Sequence, residues 1–191
     1  MSGESFDFGE PERLTVGAVG EPGHRMFFLQ ASEGAVTATL KMEKLQVAAL
    51  AAWIAKTLED LAAPGHLPED TELEPKVFDE PAWVVGSLGG NYDAVSDRIV
   101  LVAAELTESD AEPDDDDEAD DSDESDMGGL LGDETGARAR FLGTREQMAA
   151  LAIRATRLVE AGRPPCPLCG YPLDATNHQC PKTNGYRPPS L

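Results

Sequence analysis

The chain has 191 residues, 41% of them apolar, enough for one ordinary domain with its own core and a small appendage. No stretch approaches the ~20 apolar residues of a membrane span, and the acidic start (Glu4, Asp7, Glu10) is unlike a secretory signal. Membrane and secreted, disulfide-built classes are set aside, and a cytoplasmic location is expected. The formal net charge of −21 is uneven: residues 108–126 hold thirteen Asp/Glu and no Lys/Arg, whereas from Ala137 onward eight Lys/Arg face three Asp/Glu.

In chain order, the first elements are strands around Val16–Gly20 and Arg25–Ala31. A third strand alternates Val36, Ala38, Leu40 and Met42 with Thr37, Thr39 and Lys41, the period-2 pattern of a half-buried strand. Val47, Leu50, Ile54, Leu58 and Leu61 then recur at helical spacing and predict a helix with one apolar stripe. Residues 64–81, with four prolines and many acidic residues, are expected to run over the surface as a connector.

Val85–Gly89 and Arg98–Ala104 begin a second run of strands. Gly86–Gly90 is glycine-rich, but no helix follows it as a phosphate cradle requires, so a plain turn is expected. Residues 107–136 hold the acidic run. Like charges with almost no apolar residue cannot collapse, so this insert is expected to be disordered, at little cost in closure entropy. Ala137, Ala139 and Phe141 point inward from the next strand while Arg138 and Arg140 point out. Thr144 and Gln147 form a capping-box start for a helix whose stripe is Met148, Leu151, Ala155 and Val159, and Gly162 with two prolines ends it.

The order of these elements repeats. Val16–Gly20 is echoed by Val85–Gly89, Arg25–Ala31 by Arg98–Ala104, Val36–Leu40 by Ala137–Phe141, and Gln46–Ala51 by Gln147–Ala152. The expected fold is α+β: a tandem duplication of a βββα unit, six strands and two helices in one antiparallel sheet-and-helix core. Repeat 1 spans about 12–63 and repeat 2 about 82–161 within a core of 1–161, with a zinc-knuckle tail over 162–191.

That tail holds all three cysteines. Cys166 and Cys169 form a CxxC turn that grips one ion with two thiolates, and His178 with Cys180 supplies an imidazole and a third thiolate. Three thiolates and one imidazole suit tetrahedral Zn²⁺ in a closed, structural site. An odd cysteine count without a secretory signal also favours metal over disulfides. Catalytic signatures are lacking: there is no Walker-type loop, GxSxG elbow or HExxH. His24 is expected in a tight turn and His66 in a surface loop.

The stretch from Val19 to Gln30, the Gly162–Cys169 junction and the His178–Arg187 ending resemble an uncharacterised actinobacterial family of "repeat proteins" carrying a domain of unknown function. The resemblance places Cys166, Cys169, His178 and Cys180 in its C-terminal CPxCG…HxCP motif. It implies no activity. The genes of that family tend to neighbour a histidine-phosphatase-like protein and a kinase-fold protein, a hint of a shared pathway. The length and acidity of the insert depart from the family pattern.

Three functions are open at this stage. The leading one is a zinc-stabilised interaction or adaptor module for a protein partner, without catalysis. The second is nucleic-acid binding through Arg138, Arg140, Arg154, Arg157, Arg163, Lys182 and Arg187, with the acidic insert as autoinhibitor; the net charge opposes it. The third is an enzyme acting on a phosphorylated ligand, which requires polar side chains converging in a concavity near His24 or Arg25.

Overall fold

A computed structural model describes residues 3–21, 24–107, 136–161 and 168. The chain forms an α+β fold with β1 (Phe6–Phe8), β2 (Arg13–Val19), β3 (Met26–Glu33), β4 (Val36–Met42), α1 (Lys44–Glu59), β5 (Trp83–Asp93), β6 (Arg98–Glu105), β7 (Arg138–Gly143) and α2 (Arg145–Glu160). All strands lie in one mixed sheet of order β1-β7-β6-β5-β4-β3-β2. Among the described residues, no helix is long and apolar enough to cross a membrane.

Sheet closure follows from chain length. β1 and β2 stand at opposite ends of the strand order. A flat seven-strand sheet would hold those ends roughly 29 Å apart. The five peptide units from Phe8 to Arg13 reach at most about 18 Å. The sheet must therefore curl, and β1 does approach β3. The inner, concave face carries alternate residues of every strand, among them Leu14, Val16, Leu29, Leu40, Leu101, Ala139 and Phe141, and both helices cover it. Phe8 stacks on Phe141 with ring centroids 5.5 Å apart.

The helices sit as their stripes require. Val47, Leu50 and Ile54 of α1 and Met148, Leu151 and Ala155 of α2 are buried, and the two helices pack on each other. In the first turn of each helix a glutamine ties the helix to the sheet side of the core, Gln46 to β5 and Gln147 to the bend between β1 and β2. Gln46 accepts from the Glu43 N–H (2.8 Å) and donates to the carbonyls of Val85 (3.0 Å) and Gly86 (3.2 Å). Gln147 accepts from the Thr144 N–H (3.0 Å) and donates to the Pro11 carbonyl (2.7 Å).

Four expectations need correction. The sheet has a seventh strand, β1, too short to show periodicity. It is not wholly antiparallel: β4 pairs with β5, and β1 with β7, in parallel. Gly86–Gly90 is no turn but the middle of β5, where the ladder shifts between Val85 and Ser87; the hairpin turn comes at residues 94–97. The glycines answer to close packing, since a Cβ at Gly86 would lie 2.8 Å from the Leu106 backbone and one at Gly90 2.5 Å from the Trp53 ring. Finally, aligning Arg25–Ala31 with Arg98–Ala104 matches inward Phe27 to outward-facing Val100. Inward Phe27, Leu29 and Ala31 occupy the places of Ile99, Leu101 and Ala103 instead. A one-residue slip exchanges the faces of a strand.

Candidate functional site

The outer face of the sheet, away from the helices, contrasts its two halves. Over β2–β3–β4 the registers set Gly17, Phe28 and Lys41 in one row, Thr15, Gln30 and Thr39 in the next, and Arg13, Ser32 and Thr37 in the third. Over β5–β6–β7 the corresponding rows are Asn91, Val100, Leu142; then Gly89, Val102, Arg140; then Ser87, Ala104, Arg138.

A strap covers the first of these faces. Residues 72–82, the end of the connector after α1, cross it from β2 to β4. Arg13 Nε donates to the Glu72 carbonyl (2.8 Å) and Thr15 Oγ1 to the Leu73 carbonyl (2.6 Å). The Gln30 amide donates to the Lys76 carbonyl (3.0 Å) and accepts from the Lys76 N–H (2.7 Å), mimicking a strand partner. Phe78 meets Phe28 edge-on at 4.7 Å, and the Ala82 N–H donates to the Thr39 carbonyl (2.7 Å). Thr15, Phe28, Gln30, Ser32 and Thr39 are consequently buried, with their polar atoms paired as burial demands.

The second face has no such strap among the described residues. Val100 is buried, but Val102, Ala104 and Leu142 are only partly so, Arg138 is half-buried and Arg140 is exposed. Arg140 lies 3.4 Å from Asp7 on neighbouring β1. An apolar strip flanked by two arginines is a surface suited to contact.

The remaining candidate cations lie elsewhere. On α2, Arg154 donates to the Val16 carbonyl (2.8 Å) and pairs with Glu74 (3.7 Å), and Arg157 faces Asp70 (3.3 Å). Arg154 holds the strap to the helix and Arg157 the chain just before it, whereas Arg138 and Arg140 point from the opposite side of the sheet. Arg163, Lys182 and Arg187 lie outside the described residues, as do Cys166, Cys169, His178 and Cys180 and most of the acidic insert. Among the described residues, no group of three or more His, Cys, Asp or Glu could hold a metal.

His24 occupies the tight turn expected of it, its N–H donating to the Glu21 carbonyl (2.9 Å), and Arg25 reaches the Ala161 carbonyl at the end of α2 (2.8 Å). Neither side chain lines the cavity found elsewhere in the fold. A cavity of about 200 Å³ lies instead between α1 and β5, against Trp53, Leu50, Leu88 and Leu101, with the Gln46 amide at its rim. Its walls carry no charge, and the Gln46 hydrogen bonds are spent on the Glu43, Val85 and Gly86 backbone.

One polar cluster does gather, where the β5–β6 hairpin meets the start of α2. Tyr92 donates to Asp97 Oδ1 (2.7 Å) and Arg145 to Asp97 Oδ2 (3.0 Å). The Tyr92 hydrogen bond, helped by Arg145, holds the Asp97 carboxyl below its ordinary range, and the same bond raises the Tyr92 phenol. Ser96 and the Val95 N–H likewise lower Asp93, and the Gly65 N–H lowers Glu146. Arg145 also donates to the Ala62 carbonyl (2.7 Å), so the cluster joins hairpin, helix and the chain leaving α1. Every member has a structural partner, and none is aimed at a reacting centre.

Comparison with curated proteins and with solved structures gives no significant match. Over residues 6–180, from the first residue of β1 to Cys180, the sequence fits one family, and the chain belongs to it: the family described as Protein of unknown function (DUF3090).

Proposed function

We propose that this protein is a zinc-stabilised protein-interaction module whose partner docks on the outer face of β5–β6–β7. The observation that carries this reading is the contrast between the two outer faces: one is strapped and buried, the other leaves Val102, Ala104 and Leu142 partly open beside Arg138 and Arg140. The apolar strip suits a protein better than a phosphate backbone, and the net charge of −21 opposes a polyanion.

The duplicated βββα origin of the core belongs to the same reading. Two of the sequence echoes, Gln46 with Gln147 and Val36–Leu40 with Ala137–Phe141, support it, whereas the echo of Val16 by Val85 does not, since Val16 pairs with Leu29 and Val85 with Glu105. Gln46 and Gln147 begin their helices alike and reach backbone near the start of β5, at Val85, and just before β2, at Pro11. Val16 pairs with Leu29 and Gly90 with Leu101, and those partners face Leu40 and Phe141 in turn. Val16 receives Arg154 and Gly90 receives Trp53, residues that the Gln46–Gln147 echo also aligns. Zinc at Cys166, Cys169, His178 and Cys180 rests on the ligand chemistry and on a family match that extends through all four residues. Thiolates committed to a metal suit the reducing cytoplasm.

The test is affinity purification of the full-length protein from lysate of its own host after nuclease treatment, with zinc measured on the purified material. A defined protein partner that survives nuclease and is lost in Val102→Glu, with an unchanged thermal melt, supports the reading. Loss of all co-purifying material to nuclease moves nucleic-acid binding to first place.

A further inference from the structure

For most of its length β5 has a neighbouring strand on one side only. β4 pairs with it at Leu40–Trp83 and Lys41–Val84 and ends at Met42, whereas β5 runs on to Asp93 against β6. Beyond Val84 the place of a strand is taken by α1. A helix about 10 Å across cannot reproduce the roughly 4.8 Å spacing of a strand, and α1 is tied to β5 at two points. Gln46 donates to the Val85 and Gly86 carbonyls, and the Trp53 ring lies against Gly90, about 10 Å further along the helix. Between those points β5 has little with which to fill the gap. The ladder shift between Val85 and Ser87 leaves Val85 and Leu88 as successive inward side chains, and Gly90 has none. The cavity of about 200 Å³ is this gap, floored by Leu50 and Leu101, with the exposed Ala49 at its mouth.

We infer that this cavity binds a small uncharged aromatic molecule, of one or two fused rings with a single hydrogen-bonding group. The volume sets the size. An apolar cavity of roughly 150 Å³ takes one benzene ring, so about 200 Å³ has room for a second fused ring or a short substituent. The lining sets the polarity. Leu50, Leu88, Leu101 and Trp53 are apolar and no charged side chain borders the space, so an ion entering it would lose hydration without gaining a partner. The Trp53 indole is a flat wall on which a ring stacks. The hydrogen bond comes from the edge of β5. In an antiparallel ladder consecutive residues turn their N–H and C=O alternately toward the partner strand and away from it. Leu88 and Gly89 both line the cavity, so one of them faces β6 and the other faces α1, where no strand meets it. The Gln46 amide is not the anchor, because its own bonds to Glu43, Val85 and Gly86 occupy it. The cavity lies on the helix-covered face of the sheet, opposite the outer face of β5–β6–β7, so this inference goes beyond the interaction reading and does not depend on it.

Titration of the full-length protein with indole, followed by amide NMR, tests this. The expected result is that the Trp53 ring N–H and the Ala49, Leu88 and Gly89 amides shift together and saturate. Leu50→Phe, which fills the cavity, should weaken binding by about tenfold or more while the protein keeps a cooperative thermal melt. Leu88→Phe serves as the filling variant if Leu50→Phe does not fold. Absence of saturation, shifts scattered away from the lining, or undiminished binding in a folded filling variant overturns the inference. Benzoate binding as tightly as indole overturns the requirement for an uncharged ligand, and cyclohexanol doing so overturns the requirement for an aromatic one.

Discussion

Two neighbouring glycines show how local the constraints on β5 are. At Gly90 a Cβ would meet the Trp53 ring and the Val100 carbonyl, both at 2.5 Å, whereas nothing lies within 4 Å of one at Gly89. Gly90→Ala should therefore destabilise the fold by about 1–3 kcal/mol, the usual cost of overpacking, while Gly89→Ala should stay within roughly 0.5 kcal/mol of wild type. Urea denaturation of the pair checks this, and equal effects would mean that Trp53 is free to move aside. At Asp97 the prediction concerns pH. The carboxyl is held below its ordinary value when folded, so it contributes stability above the unfolded pKa of about 3.9, and that contribution is lost as pH falls through the lower, folded value. In Tyr92→Phe, carbon-detected NMR titration should find the Asp97 pKa raised towards the ordinary value. An unmoved pKa would assign the effect to Arg145 alone.

The helices depend on their first turns. Thr144 Oγ1 accepts from the Gln147 N–H (3.2 Å) as the Gln147 amide returns to the Thr144 N–H, a reciprocal capping box. Thr144→Ala should cost about 1 kcal/mol. Gln147→Ala should cost more, because it also frees the buried Pro11 carbonyl at the bend between β1 and β2. Differential scanning calorimetry would rank the two, and the reverse order would show that the helix cap outweighs the tie to the strand. The strap teaches a related lesson. Its prolines and acids predict a surface connector, and most of it is exposed, yet Leu73 is buried and Gln30 is paired to its backbone. A polar segment becomes an ordered element when a buried amide supplies the hydrogen bonds that a neighbouring strand would otherwise supply.

At the scale of the whole molecule, the tail proposed to hold zinc is expected to be separable from the core. Among the described residues, the buried cluster draws on both helices and every strand. Cys166→Ser should release zinc and loosen residues 162–191 while far-ultraviolet circular dichroism and the cooperative melt of the core persist. Elemental analysis beside the melt checks both halves of that statement. Global unfolding of the variant would show that core and tail form one cooperative unit.

The periodic elements were legible without a fold. Alternation marked Val36, Ala38, Leu40 and Met42 and, later, Ala137, Ala139 and Phe141 as inward, and helical spacing marked Val47, Leu50, Ile54, Leu58, Leu61, Met148, Leu151, Ala155 and Val159; twelve of these are buried, Leu58, Leu61 and Val159 are partly so, and Val36, the first residue of β4, is exposed. Thr144 was legible as a cap from one dipolar requirement satisfied three residues away. The ligand set proposed for the tail rests on residue type and spacing alone and lies outside the described residues. Register and neighbourhood were not legible. The Phe27–Phe28–Leu29 run has no alternation to fix which side faces in, so only pairing with β2 and β4 decides it. The parallel junctions, the use of β5 glycines beneath Trp53 and the strap across one outer face all depend on residues far apart in the chain. Local sequence determines which residues suit a strand or a helix, because periodicity and capping act within a few residues. Which surfaces meet, and which outer face is left for contact, is decided by long-range packing.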